Sequence, residues 1–413
     1  MTPSRVDVPA LGLLSVPEFT ARILEPWPEY RSRIDDLFAV LESALARIDS
    51  ARSFERLAGL FQFGIKVDAR RHRYSMVREE APAILIATAP FLQSRQMHSR
   101  SVAAHLAALG IRIGVPMREL SAAVLASLVH DIGHSAYCHD GDDFLVRSGS
   151  QSHERRGIKI IAEDDEIREA FGLIDARLDS VTALVREEGR LGLLQKLADP
   201  LGYLLLDAET IGERDWMVLS QQVIESVRNS DGERLFASSA DPIVKLLKRR
   251  AALMQQLYYA SHNRVAVAAF SALLGVMVER KVLTISEIEQ GVDVDVEMRV
   301  SEAVLDRAMR WPSWVLSLWN IAHGFEDELG RWQCMTLGCA QNYEAYVSGR
   351  HIRRATQQNG TFFVIEPFDY SRKNFLVVMP DQKIQIIQTP LDNRIPADRG
   401  YDDARWHVFS FRG

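Results

Sequence analysis

Cysteine is scarce in this chain of 413 residues: Cys138, Cys334 and Cys339 are the only ones, an odd set without metal-finger spacing. That argues against a disulfide framework and fits a reducing, cytoplasmic setting. Cys334 and Cys339 read as packed thiols, and Cys138 as a small filler residue. Long apolar runs are missing too. The longest, Ala81 to Leu92, is interrupted by Pro82 and Pro90, and no basic start followed by an apolar stretch opens the chain. No membrane span or signal segment is expected. Charge of one sign is also lacking: the net charge is −6. This gives no global electrostatic reason to expect nucleic acid as a partner, although a local basic patch remains possible. The cluster Arg70, Arg71, His72 and Arg73 reads as a solvated face. No internal repeat or low-complexity segment stands out.

What is there is an ordinary globular composition, 47% hydrophobic and 25% charged, sufficient for one large core and a smaller lobe. Residues 1 to 15 read as a loosely packed arm. Val16-Pro17-Glu18-Phe19 can start a helix, and Ile34, Leu37, Phe38, Leu41, Leu45 and Ile48 form an apolar stripe at helical spacing. Helical sequence resumes from Glu154 to Arg186, where the acidic turn Glu163-Asp164-Asp165-Glu166 reads as a cap or a solvated helix start. From Pro242 to Lys281 another stripe predicts core helices, and helix signals continue to about Glu328. Beyond that point the runs Thr361–Ile365, Phe375–Met379, Lys383–Ile387 and Trp406–Phe411 are short and β-branched or aromatic, with a turn at Pro380-Asp381-Gln382. The expectation is a mainly α protein with an N-terminal helical arm (1–53), a helical catalytic domain (54–330) and a small C-terminal α+β lobe (331–413).

Histidine is concentrated. Five of the eleven, His98, His130, His134, His139 and His153, fall between positions 98 and 153. His72, His105, His323, His351 and His407 read as satisfied core or surface groups. His130 and Asp131 close the apolar-periodic run from Met117 to Val129. Adjacent helical residues diverge by about 100°, so both reach one ion only near a helix end, which Gly133 can supply. His98, within a helix from Met97 to Leu109, and Asp199, within one from Leu191 to Leu206, complete a set of two nitrogens and two oxygens. Such a set suits Mn, Fe, Mg or Zn and leaves water positions open on an octahedral ion.

These motifs resemble the HD-domain metal-dependent phosphohydrolases, and within them the deoxynucleoside triphosphate triphosphohydrolase (dGTPase-like) branch. Arg95-Gln-Met-His98-Ser99 resembles its Arg-Phe-x-His-Ser. His130-Asp131-Ile-Gly-His134, followed by His139, Asp142 and Ser152-His153-Glu154, resembles its HD motif and Thr-His-Glu. Asp199-Pro-Leu-Gly-Tyr203-Leu-Leu-Leu-Asp207 resembles its Asp-x-x-Asp-Tyr-x-x-Arg-Asp, and Phe54 to Gly64 resembles its Phe-Gln-Arg-Leu segment. Pro200, Gly202 and Leu206 depart from the pattern, at positions where the branch carries a basic residue, an aspartate and an arginine.

The resemblance implies an HD-type helical core and a metal held by His98, His130, Asp131 and Asp199. It implies phosphate at Arg95, a deoxyribose read by Gln62, Tyr203 and Asp207, and nucleotide contact from the Tyr258 to Arg264 segment through Arg264. It also implies a proton delivered by the histidine at 139, aided by Asp142 and His153, in a homo-oligomer. From residue types alone, either His139 or His134 could deliver that proton, with Asp142 or Glu154 fixing its ring. A surface helix position is the competing expectation for Gln62. Three functional classes stay open: hydrolysis of deoxynucleoside triphosphates to deoxynucleoside and tripolyphosphate, HD-type hydrolysis of another nucleotide (a monophosphate, a signalling or a cyclic nucleotide), or nucleotide sensing by a regulatory protein.

Overall fold

The computed structural model describes residues 14–62, 64, 94–210, 215–254, 261–306, 309–311 and 313–322, and then 332–337, 356–358, 361–368, 374–380, 384–388 and 405–412. The first residues of the expected arm, the basic cluster at 70–73, Tyr258, Tyr259, His323, Cys339, His351 and Asp381-Gln382 lie outside them, as do the side chains of His262, Arg264, Cys334 and His407.

The body is helical. Helices α1 (Val16–Ile23) and α2 (Arg31–Ser50) are followed by a single helical turn (Arg52–Glu55) and a 3-10 turn (Arg56–Gly59). The glutamate of the Ser15–Glu18 capping box accepts from the Ser15 backbone N–H at 2.8 Å, satisfying one orphan donor at the start of α1. As its stripe predicts, α2 buries Ile34, Leu37, Phe38, Leu41 and Ile48. Next come α3 (Arg95–Arg112), α4 (Met117–Val129), α5 (Cys138–Arg147), α6 (His153–Glu163), α7 (Asp165–Leu173), α8 (Leu178–Val185) and α9 (Gly189–Thr210). The acidic turn does cap a helix: Asp164 accepts from the Ile167 N–H at the start of α7. Helix α3 is buried on nearly every side from Met97 to Ile111, as befits a helix with no polar face at the centre of a large core.

Helix α10 (Trp216–Ser226) leads into a short hairpin, β1 (Val227–Ser230) and β2 (Arg234–Ala237). Then follow α11 (Asp241–Leu253), α12 (Ser261–Glu279), α13 (Ile285–Gln290), α14 (Asp293–Leu305) and α15 (Ser313–Ala322). The last elements are β3 (Trp332–Leu337), β4 (Thr356–Gln358), β5 (Thr361–Phe368), β6 (Asn374–Val378), β7 (Ile384–Gln388) and β8 (Arg405–Arg412). All four C-terminal runs singled out by composition are strands. They divide between two four-stranded sheets, ordered β3-β8-β5-β4 and β1-β2-β6-β7. The second sheet ties the C-terminal lobe to the helical body, because β6 pairs in parallel with β2 (Leu235 opposite Val377) and antiparallel with β7.

Two apolar cores result among the described residues. The larger gathers α1 to α4 and α6 to α11 with Leu235, Phe375 and Val377, so α1 and α2 share a core with α3. The smaller joins α5 to α12, α13, α14 and α15. Ile132 and Cys138 belong to the first, and Ala136 and Tyr137 to the second. The loop that follows His130-Asp131 therefore runs along the seam between the cores.

Candidate metal centre

The candidate donors around Asp131 come from three helices, α3, α4 and α9. Helix α4 ends at Val129, which places His130 at its C-cap and Asp131 just beyond the helix end. Gly133 does not end the helix but packs the loop beyond it against α6: a Cβ there would lie 2.1 Å from the His153 carbonyl oxygen and 2.3 Å from the Gly157 nitrogen. Only glycine permits α6 to approach this closely. His98 enters from the first turns of α3. Asp199, Tyr203 and Asp207 follow one another at i, i+4 and i+8 along one face of α9. Gly202 allows that helix to lie on α3, since a Cβ there would meet the Val102 nitrogen at 3.0 Å and its side chain at 2.8 Å.

His98 Nε2 lies 3.2 Å from Asp131 Oδ2 and 3.4 Å from Asp199 Oδ1, and His130 Nε2 lies 3.4 Å from Asp131 Oδ1. Donor atoms of His98, His130 and Asp199 fall within 4.8 Å of one another. His130 Nδ1 donates to the Ser127 carbonyl at 2.7 Å, which leaves Nε2 with its lone pair directed into the group. A metal ligand requires that tautomer, and a backbone carbonyl behind the ring is the usual way of fixing it. The donor set thus fits a divalent cation of the borderline-to-hard type. Burial works against charge at Asp131, yet His130, Arg95 and His134 hold its carboxyl well below the usual range. Desolvation lowers His130, whereas at His98 the Asp131 and Asp199 carboxylates outweigh burial and raise it.

A second group adjoins the first. His134, His139, Asp142 and His153 offer donor atoms within 4.8 Å of one another. Asp142 sits on His134 rather than on His139: His134 Nδ1 is 2.5 Å from Asp142 Oδ2, while His153 Nδ1 is 3.4 Å from it. The same carboxylate accepts from Ser135 Oγ at 2.8 Å and from Arg156. Burial opposes its ionisation, but the His134 and His153 rings and Arg156 keep it an anion far into the acid range. His153 stacks on His134 with centroids 4.0 Å apart, and His139 stands edge-on to His134 at 4.7 Å. His139 has an edge open to solvent. Desolvation by the cluster beneath it, then Arg95, His134 and His153, still holds its ring well below the usual imidazole range. His153 is pulled down to about 4, first by burial and then by His134. Glu154 is exposed, 3.3 Å from His153 Nε2. The two groups meet where His134 Nε2, buried and without a hydrogen bond among the described residues, points at Asp131 Oδ1 from 3.5 Å.

The residues expected to touch substrate are partly engaged elsewhere. Arg95 is buried and bonds Asp131 Oδ2 through Nη1 at 2.7 Å, while its Nε and Nη2 make no hydrogen bond among the described residues. Tyr203 places its ring 6.0 Å from His98. Asp207 is fully buried. The surface-helix expectation for Gln62 is corrected: it is a buried residue of a turn, with Oε1 unbonded among the described residues. Cys138 is a buried free thiol, as its filler role requires. Two residues had no sequence signal. Arg156 carries the Asp142 carboxylate, and Arg250, buried in α11, donates from Nε to the Tyr203 hydroxyl at 2.5 Å. An arginine in a helix resembles any surface arginine until its partner is known.

The sequence profile of the HD domain matches residues 95–208, the span from α3 to α9 that carries both groups. Among solved structures, the chain is similar to a phosphohydrolase from Bacteroides thetaiotaomicron, with a TM-score of 0.56 over 89% of this chain and 95% of that chain at 14% identity. At that identity the likeness concerns the fold. No curated protein sequence matches. Among the described residues, no helix is long and apolar enough to cross a membrane.

Proposed function

We propose that this protein is a divalent-metal-dependent phosphohydrolase acting on nucleotides, and that its substrates are deoxynucleoside triphosphates, cleaved to deoxynucleoside and tripolyphosphate. The observation that carries the reading is the approach of the two groups at Asp131, with His134 Nε2 only 3.5 Å from a carboxylate that also faces His98 and His130. A phosphohydrolase needs cation donors and proton-handling groups side by side, because negative charge develops on the phosphoryl oxygens while the leaving oxygen takes up a proton. His98, His130, Asp131 and Asp199 would hold the ion, whether Mn, Mg, Fe or Zn. It would supply Lewis-acid stabilisation of the phosphoryl charge and a more acidic water.

The chain's own side chains account for the remainder. In-line attack of water at the α-phosphorus breaks its bond to the sugar 5′-oxygen, and tripolyphosphate and deoxynucleoside separate once that oxygen is protonated. His139 stands at the open side of the cluster, where a leaving group can reach it, and His134, fixed by Asp142, backs it. Substrate phosphate is drawn to Arg95, whose Nε and Nη2 are uncommitted among the described residues. Tyr203 and Asp207, one and two turns beyond Asp199, would face the sugar together with Gln62, and Arg264 would face phosphate. The family habit of assembly suggests a homo-oligomer.

A second reading keeps the reaction class and changes the substrate to another nucleotide. It is favoured by Leu206, buried where the branch has an arginine, and by the Arg95–Asp131 ion pair. Chromatography of products from each deoxynucleotide and ribonucleotide with Mn or Mg decides between them. Deoxynucleoside plus tripolyphosphate, abolished in Asp131→Ala, is the expected result. Inorganic phosphate or a monophosphate product would move the substrate to the second reading, and no turnover with any nucleotide would overturn both.

A further inference from the structure

Asp293 lies far in sequence from both groups and has no part in the chemistry above, yet it is buried at the first position of α14. Its carboxylate accepts two backbone N–H bonds, from Tyr137 at 2.6 Å through Oδ1 and from Phe61 at 2.9 Å through Oδ2. Phe61 immediately precedes Gln62, and Tyr137 stands two residues before His139. Tyr137 and Cys138 both have positive φ, 63° and 52°. L-residues resist that backbone, and it persists only where the surroundings fix it.

The surroundings here are specific. Ala136 N donates to Ile288 O at 3.1 Å, and the Tyr137 hydroxyl donates to Glu297 Oε2 at 2.7 Å. From the other side Arg56 donates to the carbonyls of Ile132 at 3.2 Å, His134 at 2.5 Å and Gly291 at 3.2 Å. Arg56 thus holds the carbonyls of the loop after His130-Asp131, and Asp293 holds the N–H group at its far end. Burial pushes the Asp293 carboxyl up to about 7 against the two N–H donors and Arg56, so an anion at this place is costly. A helix start needs no such group. Two N–H groups from different segments call for two acceptor oxygens, which a carboxylate offers and an amide does not.

We propose that Asp293 is a positioning residue that locks the Phe61–Gln62 turn and the Tyr137–His139 turn against one another, and so sets where His139 stands relative to the metal donors. The inference rests on the reading of His139 as a group that acts in the reaction. The test combines a double-mutant cycle on the full chain with hydrogen exchange. In Asp293→Asn an NH2 opposes one of the two N–H groups, so exchange accelerates in peptides covering Phe61 and Tyr137 while Mn binding by titration is unchanged. With the deoxynucleotide that the wild type cleaves, kcat falls at least about tenfold in the otherwise native chain but no more than about twofold in the His139→Ala background, because a contribution made through His139 is lost only once. An equal fold-loss in both backgrounds, or unchanged exchange at both peptides, overturns the proposal. Asp293→Ser, which retains one acceptor, takes the place of the asparagine variant if that chain does not fold. If the wild type cleaves no nucleotide, the functional reading fails by itself. Carbethoxylation of His139, followed by mass spectrometry, then decides the positioning role: an altered rate in Asp293→Asn supports it and an unaltered rate overturns it.

Discussion

His105 lies inside the helical core with both ring nitrogens engaged. Nδ1 donates to the Ser101 carbonyl at 2.7 Å, and Nε2 is 3.3 Å from Ser220 Oγ, from which it accepts. Burial lowers its pKa to about 4 from 6.5. The unfolded chain therefore binds a proton that the folded chain refuses between those two values, and the sign follows: stability is complete above about pH 6.5 and is lost as pH falls toward 4. The loss from this one group is on the order of 3 kcal/mol. Urea unfolding of His105→Gln should show a weaker dependence on pH between about 6.5 and 4.5 than the wild type. An identical dependence would mean that His105 takes up its proton at the same pH in the folded and the unfolded chain. At this scale the sequence is legible by residue type but not by partner. The density of histidines marks where the two groups of side chains gather, and His105 reads correctly as a satisfied group. That Asp142 holds His134 and not His139 depends on the left-handed turn at Tyr137 and Cys138, two residues that do not favour that backbone. Arg156, Arg250 and Asp293 act through contacts to distant or buried groups, and nothing local in the sequence marks them.

Helix α9 shows what periodicity can and cannot deliver at the level of an element. The spacing of Asp199, Tyr203 and Asp207 puts them on one face, and that reading needs only the helix repeat. Gly202 is different: in sequence it is a missing aspartate, and its reason is the α3 backbone, with Val102 nitrogen 3.0 Å from where a Cβ would be. Gly202→Ala would push α9 away from α3 and carry Asp199 with it. The expected cost is about 1–3 kcal/mol, offset in small part by the better helix propensity of alanine. Mn affinity, measured by titration, should fall at the same time. A variant with lowered stability but native Mn affinity would show that α9 yields somewhere other than at Asp199. The hairpin of β1 and β2 is not legible in the sequence because each strand has four residues, too few for a period to show, and its further partner β6 lies some 140 positions on.

At the scale of the whole molecule, composition separates a helical body from a C-terminal lobe, but the change in character at about residue 331 is not where the packing divides. Strand β6 reaches back to β2, and its alternate residues Phe375 and Val377 are buried in the larger core, while Leu376 between them is 38% exposed. One face of the strand is packed at both positions, whereas the other is open at Leu376 and closes again at Val378, which is buried. Phe375 also lies under Lys196 of α9, whose ammonium is 5.9 Å from its ring centroid, so the lobe touches the helix that carries Asp199. Phe375→Ala should therefore cost about 3–5 kcal/mol in global unfolding, against less than about 1 kcal/mol for Leu376→Ala. The loss should appear as a shift of one cooperative transition followed by both far-ultraviolet dichroism and tryptophan fluorescence. If Phe375→Ala instead produces an early, separate transition and leaves Mn binding at its wild-type midpoint, β6 and β7 unfold on their own and the helical body does not depend on them.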